Sequence, residues 1–246
     1  MILEACVNSA ISAVEAEHGG ADRVELCENM ADGGCTPGYG SILFARKQLK
    51  IDLFVMIRPR GADFLYSAGE FEIMKNDIRM VKKSGANGVV FGILNPSGAI
   101  DKTRMEILSE LSRPMSITCH RAFDMTADPF QAMEDLINLG INRILTSGQR
   151  ENALLGASLI KNLISKAKGR ICIMPGGGIK EHNIKEVITT TGANEFHVYL
   201  PKSVHSQMTF TRPNINMGRT NSREYESTII DTERIKRVKE IIKMNS

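Results

Sequence analysis

The chain has 246 residues, 42% of them hydrophobic and 24% charged, and a net charge of +3. That balance supplies one large globular core, and the length is that of a β/α barrel, for which ~250 residues is typical. The apolar runs are too short to cross a bilayer, Trp is absent, and no Lys/Arg cluster is interleaved with aromatics, so neither a membrane nor a nucleic acid is an expected partner.

The opening residues, MILEACVNSA, lack a basic n-region and meet an acid at Glu4, so they read as a first strand over 2–6 and not as a secretory signal. Gly20-Ala21-Asp22 introduces a second strand at 24–26. A third at 53–57 is followed by a helix over 70–83, then by Gly85-Ala86-Asn87 and a fourth strand at 89–91. Asp101 is a candidate N-cap for a helix over 102–111, ahead of a fifth strand at 115–119. Asp128 precedes Pro129 at the first position of a helix over 129–139. Gly140-Ile141-Asn142 and a sixth strand at 144–146 come next. A helix over 152–167, a seventh strand at 171–174 and a helix over 180–190 lead to Gly192-Ala193-Asn194 and an eighth strand at 196–198. Residues 201–225 are polar and show no clear periodicity, so they are expected to be irregular before a last helix over 232–243.

The phrase Gly, Ala or Ile, Asp or Asn occurs four times, 52 to 65 residues apart. Each copy follows an amphipathic stretch, where a left-handed Gly stops the helix. The spacing fits two βα units per repeat, and strict β-α alternation implies a parallel sheet. A paired repeat without GxGxxG after the first strand favours closure, so the expected fold is a single α/β domain over 1–246, a (β/α)8 TIM-type barrel. Five widely spaced cysteines with no CxxC pattern are expected to be reduced thiols in a cytosolic protein.

In such barrels the working groups sit at the C-terminal ends of the strands. The repeat places Glu25, Val90, Leu145 and His197 at equivalent positions, and likewise Cys27, Gly92, Ser147 and Tyr199, so each set is expected to share a face. Glu4-Ala5-Cys6 and Glu25-Leu26-Cys27 close two neighbouring strands with the same Glu-x-Cys triplet. Strands ~4.8 Å apart would let Cys6 and Cys27 reach one ion, and soft thiolates without a Cys-rich motif suit low-coordinate Cu(I). The plainer reading, two small buried hydrophobes, is the stronger one from the residues alone.

Arg58, Arg60 and His120 fall at strand tops, where charges need partners or an anion. Glu4 and Glu25 are the expected partners, and a small anionic ligand is the alternative. His120 with Asp124 reads as an acid/base pair or as a loop anchor, and Glu25 is a third catalytic candidate. Gly176, Gly177 and Gly178 after the seventh strand, with Ser147 nearby, fit an anion-binding loop or a tight turn. Cys35 is a candidate third thiol at the rim. Cys119 and Cys172 are expected between strands and helices, and the thirteen Met residues are expected to be mostly core.

Together, Glu4-x-Cys6, Gly20–Cys27, Arg58-Pro59-Arg60-Gly61-x-Asp63-Phe64-x-Tyr66, His120-Arg121-Ala122-Phe123-Asp124, Pro175-Gly176-Gly177-Gly178 and Glu195-Phe196-His197 resemble the CutC copper-homeostasis family, its animal branch more than its bacterial one. The resemblance covers nearly the whole chain. It implies a cytoplasmic barrel, with the nucleus as a second compartment, that forms homo-oligomers (dimer or tetramer) and handles copper. It maps the family's Cu(I) ligands onto Cys6 and Cys27. Where relatives often carry an Arg just after the His197 position, this chain offers only Lys202.

Overall fold

The structure is a computed structural model that describes residues 1–212, 214, 215, 217 and 224–245. Strands β1 (Ile2–Val7), β2 (Arg23–Leu26), β3 (Asp52–Met56), β4 (Gly88–Phe91), β5 (Ser116–Cys119), β6 (Arg143–Thr146), β7 (Cys172–Pro175) and β8 (Glu195–Val198) form one parallel sheet in the order β7-β6-β5-β4-β3-β2-β1-β8. A parallel bridge between Gly176 and His197 brings β7 to β8 and closes the barrel. Around it run α1 (Ala10–His18), α2 (Tyr39–Gln48), α3 (Ala68–Ser84), α4 (Lys102–Ser112), α5 (Pro129–Asn138), α6 (Ala157–Ala167), α7 (Ile184–Thr191) and α8 (Thr232–Met244). This is the expected (β/α)8 barrel.

The period of two along each strand sorts the side chains into two shells. Leu3, Ala5, Val24, Leu26, Phe91 and Phe196 point outward and are sealed beneath the helices in the main core. Cys6, Cys27, Phe54, Met56 and Val90 form a separate cluster inside the barrel. Asp101 and Asp128 cap α4 and α5 as expected, and Pro129 opens α5.

The repeated phrase does two jobs. Gly20, Gly85, Gly140 and Gly192 all have φ between 70° and 89°, which only Gly adopts without cost. The acid or amide behind the glycine then reaches sideways. Asp22, Asn87 and Asn142 accept the backbone N–H of Leu3, Leu53 and Ile117 at 2.7, 3.0 and 2.8 Å. Three of the four copies therefore tie an even strand to the odd strand before it.

Two placements differ from the sequence reading. The segment expected to be irregular begins as a strand: β9 (Pro201–His205) pairs antiparallel with β10 (Glu226–Ile230), Pro201 opposite Ile230. Most of this hairpin is solvated on both faces, so no alternation marks it, and its partner strand lies about 20 residues on. Part of the loop between the two strands lies outside the described residues. Cys172, expected between strand and helix, is next to Arg143 in the β6–β7 ladder and two residues from Met174, whose sulfur meets Arg23 inside the barrel. It therefore lies on the inner face at the barrel's lower end, whereas Cys119 packs in the outer core as expected.

Candidate metal centre

Inside the barrel, β1 contributes Glu4 and Cys6, and β2 contributes Arg23, Glu25 and Cys27. The ladder sets Cys6 beside Glu25, which leaves Cys27 one step nearer the C-terminal rim. Cys6 Sγ lies 4.0 Å from Cys27 Sγ, and Cys27 Sγ lies 3.5 Å from Glu25 Oε2. All three residues are buried, and each offers a ligand atom within 4.8 Å of the others.

His197, on β8, joins the two layers. Its Nδ1 lies 2.7 Å from Glu4 Oε1, and its Nε2 lies 3.7 Å from Glu25 Oε2. Burial alone would discharge this imidazole, but the Glu25 and Glu4 carboxyls and the Cys6 sulfur raise it well above the usual His range. Glu4 is the firmly ionised partner. Burial pushes it up, yet the Arg23 guanidinium and His197 outweigh that and hold it at about 2.

The thiols divide one proton between them. The hydrogen bond with Cys27 brings Cys6 down to about 5 against its burial, and His197 adds to the effect. The same hydrogen bond, with burial, pushes Cys27 well above the usual thiol range. Burial and the Cys6 charge raise Glu25 well above the carboxylate range. Proton sharing thus favours a thiolate on Cys6 and a thiol on Cys27, and burial beside that charge disfavours the ionised form of Glu25.

Below lies a floor of charge. Arg23 pairs with Glu4 and Glu195, and Arg143 pairs with Glu195 at 2.6 Å. Both guanidiniums cover the ring of Phe54, at 4.9 and 5.3 Å from its centroid. The ions are paired and hydrogen-bonded, which burial requires of them. They give the thiols a rigid base.

Above the thiols a cavity of about 350 Å³ opens at the C-terminal face of the barrel. Cys6, Cys27, Glu25 and His197 line it together with Arg58, His120, Arg121, Gly177, Gly178 and Lys180. Met30, Met56, Phe64, Leu145 and Tyr199 supply apolar wall. No helix of the described residues is long and apolar enough to cross a membrane.

The sequence profile described as the CutC family matches residues 1–201. The chain belongs to the CutC family. A human relative named copper homeostasis protein cutC homolog is 46% identical over 98% of this chain and 89% of its own. A family protein CutC of Parabacteroides distasonis is 49% identical over 96% and 98%. Human and bacterial relatives are thus about equally similar to the chain. A crystal structure of a copper homeostasis protein CutC from Streptococcus agalactiae superposes with a TM-score of 0.77 at 34% identity, covering 80% of this chain and 97% of that one.

Within this CutC barrel, Cys6, Cys27, Glu25, Arg58, His120, Gly177 and Gly178 meet at one cavity, as their strand-end positions suggested. Other candidates do not join them. Arg60 turns away to Glu70 and Asp63. Arg58 is not paired with Glu4 or Glu25; it donates to the carbonyls of Asp32, Gly34 and Ala62. Asp124 is a loop anchor and is not paired with His120: its carboxylate accepts from Thr146 Oγ1, Ser147 N and Oγ, Gln149 N and Arg121 Nε. Ser147 is locked into that knot.

Gly176 is a packing glycine. Its N–H goes to Thr146 O, and a Cβ there would stand 2.3 Å from Leu145 Cδ1. Cys35 sits in a backbone bridge with Glu28, off the cavity wall. Lys202 lies on the hairpin near Asp231.

Sequence reasoning missed Arg23, Arg143 and Glu195, although the repeat held the signal. They stand two residues before Glu25, Leu145 and His197, so the parity argument taken one step lower points them inward too. It also missed Lys180, and Met30 and Met56, which pack against the thiols.

Proposed function

We propose that this CutC protein binds Cu(I) through Cys6 and Cys27, with copper as cargo to be buffered or passed on. What supports this reading is the 4.0 Å between two buried sulfurs at the mouth of the barrel. With metal–thiolate bonds of about 2.3 Å, one ion can join two sulfurs up to ~4.6 Å apart. Thiolates are soft and select Cu(I). Two thiols with a single carboxyl as the third group in reach fall short of a closed tetrahedral zinc set, so low-coordinate Cu(I) is favoured. Metal binding expels the Cys27 proton, and the floor of paired ions keeps both thiols in place.

Free thiols of this kind work in a reducing compartment, and we place the protein in the cytoplasm. We also propose a homo-oligomer: Tyr39, Leu43 and Phe44 are 42–44% exposed together on α2, and light scattering is the check.

An anaerobic Cu(I) competition titration against a strong chelator tests the copper reading. One ion per chain is expected in the wild type and none in Cys6→Ser/Cys27→Ser, while Cys35→Ser behaves as wild type. Equal binding by wild type and double mutant would sink it.

A second reading, a barrel enzyme acting on a small anionic metabolite, draws support from Arg58, Arg121 and Lys180 in the cavity lining, which two-coordinate copper does not use. A thermal-shift screen of phosphorylated and carboxylated metabolites tests it, and stabilisation by none of them would count against it.

A further inference from the structure

Four buried side-chain polar atoms lack a hydrogen-bond partner among the described residues: Glu25 Oε1, Arg58 Nε, Tyr66 OH and His120 Nε2. Native proteins leave few such atoms, because each costs free energy of desolvation. Arg58 and His120 both line the cavity, at 5% and 3% exposure. A buried polar atom in a cavity wall asks for something in the cavity.

The chemistry of that request can be read. His120 Nδ1 accepts the N–H of Ala122 at 3.1 Å, so the ring proton sits on Nε2 and the free atom is a donor. Burial, then the neighbouring Arg58 charge, holds His120 down at about 3, which keeps it neutral and in that tautomer. Arg58 is pinned by three carbonyls through its Nη atoms and stacks on Phe64, which leaves its Nε–H as the free donor. Gly92 makes room for the imidazole, since a Cβ there would stand 3.0 Å from the ring.

Two cations complete the wall. Arg121 spends Nε on Asp124 and Nη2 on Ser147, and its Nη1 faces Gly177, where a Cβ would stand 3.4 Å away. Lys180 lines the mouth, and among the described residues no carboxylate lies within ion-pair distance of it. The unspent atoms of Arg58 and His120 are both donors, and the one carboxyl on the cavity wall is Glu25, which His197 and Cys27 approach.

We propose that the cavity holds an oxyanion subsite, built from His120 Nε2–H, Arg58 Nε–H, Arg121 and Lys180, that takes the carboxylate or phosphate end of a small molecule whose other end faces the Cys6–Cys27 pair. The cavity, at 350 Å³, falls at the small end of the about 300–1,000 Å³ that ligand pockets occupy, so the ligand is a metabolite and not a peptide. The subsite is independent of copper: its donors do not touch the thiols, and it serves a carboxylate-bearing copper carrier and an enzyme substrate alike.

Calorimetric titration of the metal-free protein with inorganic phosphate, and separately with succinate, at low ionic strength is the test. Saturable binding of one ion per chain by either probe is expected, and the stronger of the two identifies the head group. Lys180→Ala, an exposed position that leaves the fold alone, and His120→Asn should each weaken binding by about ten-fold, the loss of one charge-assisted or buried hydrogen bond. Arg60→Ala, whose side chain lies off the cavity on Glu70 and Asp63, should leave it unchanged, and the use of metal-free protein separates this subsite from the copper reading. The ¹⁵N–¹H signal of His120 Nε2 in unmutated protein should move with the same saturation curve. No saturable binding of either probe, or binding that Lys180→Ala and an unmoved His120 signal leave untouched, overturns the proposal.

Discussion

His197 Nδ1 meets Glu4 Oε1 at 2.7 Å across the seam between β8 and β1, which turns the other ring nitrogen toward Glu25 and the thiols. The hydrogen bond orients the ring, and the charge on the ring helps make Cys6 a thiolate. His197→Gln separates the two effects, because the amide can still donate to Glu4 but carries no charge. Cys6 should then titrate higher, and Cu(I) must displace an extra proton at pH 7. Each unit by which a ligand's pKa stands above the pH weakens metal binding about ten-fold. The expected result is Cu(I) affinity at pH 7 down by at least that factor and recovering toward pH 9. An affinity equal to wild type at both pH values would show that the imidazolium has no part in the site.

His120 gives a pH dependence of stability with a definite sign. Unfolded, it takes a proton near pH 6.5, whereas in the fold burial and Arg58 hold it at about 3. Between those values the unfolded chain binds the extra proton, so stability falls as the pH falls from 6.5 toward 3, by up to ~1.4 kcal/mol per unit. Above pH 6.5 this residue adds no slope. His120→Asn should flatten the acid limb of a plot of urea midpoint against pH. The imidazole should also show no protonation by NMR down to pH 4.

Asp124 was readable from sequence as an acid/base candidate or as an anchor, and the five donors around it assign the anchor. Asp124→Ala should leave buried Thr146 and Ser147 donors unsatisfied and cost about 2–4 kcal/mol by urea denaturation. Asp124→Asn should recover part of that loss. A proton-transfer role would instead give a variant of unchanged stability.

The barrel was legible because helix stops, strand starts and their spacing are local properties, and the four Gly-Ala/Ile-Asp/Asn phrases printed its two-unit period directly. The thiol pair was legible for the same reason: Glu-x-Cys ends two consecutive strands. What was not legible depends on which residues meet across the barrel. Glu4 and Glu25 looked like partners for Arg58 and Arg60, but Arg23 and His197 lie nearer to Glu4, and Arg58 spends its Nη groups on loop carbonyls. Lys180 reaches the cavity because Gly177 and Gly178 turn the chain with φ of 97° and 71°, and residue type alone does not state that direction. The β9–β10 hairpin left no pattern because neither face is consistently buried.

The barrel interior was sized by a glycine. A Cβ on Gly88 would stand 2.6 Å from the ring of Phe54, the ring that Arg23 and Arg143 both cover. Gly88 takes the repeat position that Arg23, Arg143 and Glu195 hold in the other units, so three of the four positions build the charged floor and the fourth makes room for its aromatic centre. Gly88→Ala forces the ring to move between two buried guanidiniums and should cost about 1–3 kcal/mol, the usual range for overpacking. Phe54→Leu loses both cation–π contacts and some packing, and it should also destabilise. In the double mutant the added methyl enters space the ring has left, so its cost should be below the sum of the two by at least ~1 kcal/mol, as for residues in direct contact. Urea midpoints of the four proteins measure this. Simple additivity would mean that Gly88 is tolerated there and not required.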